Sequence, residues 1–69
     1  MNTELYEMLK TSAEADIAKA KLTIKLLDEN GVGVGEHSTK DFYDNAEEAL
    51  SNMADALDRL KALEILSGE

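Results

Sequence analysis

The sequence predicts an all-α protein, an antiparallel two-helix hairpin that assembles as a homodimeric four-helix bundle or a larger helical oligomer. Three observations predict it. There is no proline, and the four glycines stand at 31, 33, 35 and 68, so residues 3–29 and 39–66 run without a helix breaker. Apolar residues recur in both segments at three- and four-residue spacing, the period of a helix face. The first segment also carries more apolar surface than one neighbouring helix covers. The expected layout is a single domain over residues 1–69: helix 3–29, Gly-rich turn 30–38, helix 39–66.

The first helix opens at Asn2 or Thr3, either of which can cap its free N–H groups, and Asn30-Gly31 supplies a left-handed stop. At 100° per residue, Tyr6, Leu9, Ala13, Ile17, Ala20, Ile24 and Leu27 form one apolar stripe. Met8, Ala15, Leu22 and Leu26 form a second. Helix 2 is expected to cover the first stripe, which leaves Met8, Ala15 and Leu22 at heptad spacing with Leu26 beside them; these four are the predicted oligomer interface.

The turn reads "DENGVGVGEHSTKD" over residues 28–41. Gly33 and Gly35 followed by Ser38 and Thr39 at a helix start have some parts of an anion cradle, in which freed backbone N–H groups and a helix N-terminus face a phosphate. The spacing is not that of a Walker loop, the segment follows a helix where that motif follows a strand, and Glu36 adds a negative charge. An interhelical turn is the favoured reading. His37 is the only histidine and there is no cysteine, so no metal site, cofactor or catalytic residue is expected.

The second helix is expected to open at Ser38 with Asp41 as a capping-box partner, and Asp44, Glu47 and Glu48 suit the positive end of the helix dipole. The pair Glu47-Glu48 splits between two faces, so it is a poor catalytic couple. Phe42, Tyr43, Ala46, Ala49, Leu50, Met53, Ala56, Leu57, Leu60 and Leu63 form one stripe, about 160° wide on a helical wheel, that is expected to face the core. Phe42 and Tyr43 would cap that core near the turn. Asp55 and Arg59 stand four apart as a favourable ion pair. No internal repeat or low-complexity linker is apparent.

A polar line, Ser12, Asp16, Lys19 and Thr23, runs between the two stripes of helix 1, and Asn45, Glu48, Asn52, Asp55 and Arg59 border the stripe of helix 2. Facing each other, they would set helix register. Lys19, Asn52 and Arg59 are the side chains suited to a small anionic ligand, together with Gly33, Gly35, Ser38 and Thr39 of the turn.

Fifteen acidic residues against seven basic ones give a net charge of −8, with nine of the acids beyond residue 29. That field repels nucleic acid and anionic membranes, so neither is an expected partner. No apolar run approaches ~20 residues, and the start "MNTELYEMLK" lacks a signal-peptide pattern, which gives a cytoplasmic expectation. A core from 69 residues supplies only ~3–5 kcal/mol unaided, and with no disulfide available the expected staple is self-association. The function this implies is non-enzymatic: a homo-oligomer that binds an as yet unidentified protein as an adaptor, antagonist or regulator. The alternatives are a module sequestering a small anionic ligand such as a nucleotide between protomers, and an acidic mimic of nucleic acid.

Overall fold

The computed structural model describes residues 1–30 and 39–68. They form two helices, α1 (Thr3–Asn30) and α2 (Thr39–Ser67), packed against each other as an antiparallel hairpin. Each runs one residue beyond its expected C-terminal end. At the start of α1 the cap is Asn2: the Leu5 N–H donates to Asn2 Oδ1 at 3.0 Å, and the Tyr6 N–H donates to the Asn2 carbonyl at 2.9 Å. At the far end of α2 the Gly68 N–H donates to the Glu64 carbonyl at 2.9 Å, and the Ser67 hydroxyl donates to the same oxygen at 3.3 Å. The expected stop at Gly31 and the cap at Ser38 lie outside the described residues.

The seam between the helices is made of alanine. Ala13, Ala20, Ala49, Ala56 and Leu63 are the buried apolar residues, and no large side chain is fully buried among those described. A methyl group at the contact lets two helix axes approach to the short end of the usual ~8–10 Å range, which closes the seam to anything larger. Tyr6, Ala13, Ala20 and Leu27 are seven residues apart on α1, as are Phe42, Ala49, Ala56 and Leu63 on α2. With both series at heptad spacing, antiparallel packing runs Ala13 and Ala20 along Ala56 and Ala49; Leu63 shares a groove with Leu9 at one end, and Leu27 shares one with Asn45 and Ala49 towards the other. Both helices carry the same core series, an aromatic residue, two alanines and a leucine. A search for repeats along the chain passes over it because the residues between differ.

One expectation is corrected by this close seam. Tyr43, Leu50 and Leu57 do not face α1: they are 61%, 63% and 51% exposed. Leu9 and Ile24 of α1's first stripe are also more than a third exposed. The stripe on α2 is too wide to be covered by one closely packed helix, so the alanines take its centre and the large side chains next to them are left on the flank. Phe42 is half-buried and meets the Tyr43 ring edge-on, with centroids 5.9 Å apart and planes at 83°. Of that pair only Phe42 covers the core.

The Cα atoms span 51 × 14 × 12 Å, and the radius of gyration of 15.7 Å compares with about 11 Å for a compact chain of this length. No helix among the described residues is long and apolar enough to cross a membrane.

Candidate functional site

Two flanks open on either side of the alanine seam, and their chemistry differs. On one, Asp16, Lys19 and Thr23 of α1 line a groove of about 250 Å³ with Asn52, Asp55 and Arg59 of α2, over Ala20 at its floor. The two polar lines read from the sequence thus share one flank. Four-, three- and four-residue steps on α1, and three-, four- and three-residue steps on α2, keep each line at the edge of its alanine row.

Arg59 organises this groove. Its Nη2 donates to Asp16 Oδ2 across the seam, and its Nε donates to Asp55 Oδ2 at 3.1 Å one turn back on α2. The hydrogen bond to Asp16 raises the guanidinium above its already high ordinary pKa; partial desolvation opposes this, and the charges of Asp16 and Asp55 add to it. The Thr23 hydroxyl donates to the Lys19 carbonyl at 2.9 Å within α1. Further along the same flank Glu48 and Asn45 stand opposite Lys19 and Leu27. Three carboxylates, Asp16, Glu48 and Asp55, therefore outnumber the two cations Lys19 and Arg59.

Lys19, Asn52 and Arg59 do converge on this groove, but the guanidinium is engaged by two aspartates. An anion entering here competes with both and enters a field that is negative on balance. Of the turn residues assigned to a ligand, Gly33, Gly35 and Ser38 lie outside the described residues, as does His37. Thr39 is the first residue of α2. No group of three or more His, Cys, Asp or Glu side chains among the described residues is arranged to hold a metal ion.

The opposite flank is apolar. Ile24 of α1 and Ala46, Leu50 and Met53 of α2 line a shallow groove of about 420 Å³, rimmed by Lys21 on one side and Glu47 on the other. Ile17 and Leu60 continue it, both half-buried, and Leu57 extends it along α2. Glu47 borders this face while its neighbour Glu48 borders the polar one, so the two carboxylates diverge as their helical positions require.

The predicted interface residues lie elsewhere, on the outer side of α1. Met8 and Leu22 are 59% and 56% exposed, Leu26 is 49% exposed, and Ala15 is also exposed. Sequence reasoning did not single out the second apolar area, which lies beside α2. The available signal was the order Ala49-Leu50 and Ala56-Leu57: where a small residue marks the seam, the large residue next to it is turned about 100° away.

Comparison of the chain with known proteins finds no matching family model, no matching curated sequence and no matching solved structure.

Proposed function

We propose that this chain is a non-enzymatic interaction protein whose working unit is an assembly of several copies, and which acts by binding a protein partner. The supporting observation is the apolar surface that the hairpin leaves uncovered. A compact protein of this mass exposes about 4,200 Å²; the hairpin exposes 5430 Å². The excess, about 1,200 Å² of polar and apolar surface together, is larger than the ~800 Å² that each partner contributes to an ordinary specific interface. Among the described residues twelve large apolar side chains are more than a third exposed, including Ile24, Leu50 and Leu57 on the apolar flank and Met8, Leu22 and Leu26 on the outer side of α1. Covering the flank with further copies supplies the burial that an alanine seam lacks, since a buried methylene-sized group stabilises by only ~0.8 kcal/mol and a buried leucine by ~1.5–3 kcal/mol.

The test is the light-scattering mass of the purified protein between 1 µM and 100 µM. A dimer or larger species is expected. A monomer across that range overturns the reading.

A second reading, sequestration of a small anion, draws on the convergence of Lys19, Asn52 and Arg59 on one groove. Pyrophosphate titrated to millimolar concentration tests it: a saturable rise in melting temperature that Lys19→Ala and Arg59→Ala abolish would favour this reading. The carboxylates around Arg59 predict no such rise.

A further inference from the structure

Resting on self-assembly, we infer that the face built from Ile17, Ile24, Ala46, Leu50, Met53 and Leu57 is covered by the same face of a second copy. The two hairpins are related by a two-fold axis parallel to their helices, and Lys21 of each copy lies over Glu47 of the other.

The choice of face follows from its composition. It joins residues of both helices into one apolar surface, whereas Met8, Ala15 and Leu22 make a single row on α1 alone with an alanine at its centre. It also holds Leu50 and Leu57, the one 63% and the other 51% exposed. In a four-helix arrangement Ile17, Ile24, Met53 and Leu60 of both copies point to the common axis. Leu50 and Leu57 then pack along the aliphatic stems of the rim lysines.

The orientation follows from charge. Along the rim of α1, heptad steps place Glu7, Glu14, Lys21 and Asp28 in line; along the outer rim of α2 they place Lys40, Glu47, Ala54 and Lys61 in line. In the register set by the alanine layers, Glu7 is level with Lys61, Lys21 with Glu47, and Asp28 with Lys40. An axis parallel to the helices lays α1 of one copy over α2 of the other without changing level, so all three levels bring opposite charges together. Turning the second copy end for end instead lays α1 over α1 and α2 over α2. Glu7 then approaches the partner's Asp28 and Lys61 the partner's Lys40, like on like, and only Lys21 with the partner's Glu14 brings opposite charges together. In the favoured orientation like charges also approach at the open end of the hairpin, Glu7 with the partner's Glu64 and Lys10 with the partner's Lys61, where water screens them. Lys40 already pairs with Asp44 at 2.8 Å, at an exposed site where such a bond is readily shared.

Two single-cysteine variants, Lys21→Cys and Glu47→Cys, test the geometry in a chain that has no cysteine of its own. Mixed and oxidised, they should give a disulfide between the two different chains in clear excess over disulfides between like chains. Charge exchange gives an independent reading: Lys21→Glu and Glu47→Lys each raise the dimer dissociation constant by about tenfold, and the double variant restores it. A wild-type dimer whose mixed variants form no heterodisulfide, or form mainly disulfides between like chains, overturns this face and orientation while leaving self-assembly intact. A monomeric wild type removes the reading beneath it as well.

Discussion

Arg59 on α2 donates a hydrogen bond to Asp16 on α1, and among the described residues this is the only ion pair that joins the two helices. Both side chains are nearly half exposed, so the tie is open to water and salt. Asp16→Ala is therefore expected to lower the melting temperature more than Asp55→Ala, whose carboxylate contacts Arg59 only within α2. The difference should shrink in 1 M salt, where charges are screened within about 3 Å. Thermal melts followed by circular dichroism at low and high salt decide it; equal effects of the two substitutions would show that the tie across the seam carries no weight.

The same guanidinium makes a pH prediction. A group whose pKa rises on folding contributes stability that is complete below its unfolded pKa and is lost as pH climbs through the folded one. For Arg59, raised chiefly by its hydrogen bond to Asp16, that loss falls in strong base. The stability difference between wild type and Arg59→Ala should accordingly be constant from pH 6 to pH 10. A deficit that changes across this interval would assign the titration to another group.

At the centre of the seam, Ala13 is fully buried. Ala13→Leu forces the helices apart and should cost about 1–3 kcal/mol, seen as a melting temperature lower by roughly 4–8 °C per kcal/mol. Ala18→Leu, on the exposed side of α1, is the control and should change stability little. Similar losses in both variants would mean that the alanines are not the contact.

The buried Leu63 and the exposed Leu57 should separate folding from assembly. Leu63→Ala removes a side chain from the end layer and is expected to destabilise by ~2–5 kcal/mol, with lost helicity at every protein concentration. Leu57→Ala should leave dilute-solution helicity nearly unchanged and shift the concentration at which the mass rises. Sedimentation and circular dichroism over one dilution series read both.

Removing the cap of α1 should be felt locally. Asn2→Ala deprives the Leu5 N–H of its acceptor, at a cost of about 1 kcal/mol, and should speed hydrogen exchange in the first turn without altering the middle of either helix. Unchanged exchange at Leu5 would contradict the cap.

The helices were legible in the sequence because their signals are local. Freedom from proline and glycine and the helical period of apolar residues fix both elements to within a residue at each end, and the cap is Asn2, one of the two residues, Asn2 and Thr3, whose chemistry suits it. The convergence of the polar lines was legible for the same reason, since Asp16 and Arg59 each lie beside an alanine row. What the sequence did not disclose was how much of an apolar stripe one helix covers. That depends on the distance between helix axes, which is set by the side chains on both helices at once. Reading Ala13, Ala20, Ala49 and Ala56 as the contact itself, rather than as small members of a broad stripe, turns Leu50 and Leu57 outward.

The matching core series of the two helices has a topological consequence. Tyr6, Ala13, Ala20 and Leu27 present to a neighbour nearly the same relief as Phe42, Ala49, Ala56 and Leu63, so packing alone scarcely distinguishes an α1·α2 hairpin from α1 laid antiparallel on another α1. The choice between them falls to the peptide link from residue 30 to residue 39 and to Asp16–Arg59, which only the α1·α2 pairing can form. Severing that link would turn one defined hairpin into a set of competing helix pairs, so the order of the chain, more than the shape of its interior, specifies who packs with whom.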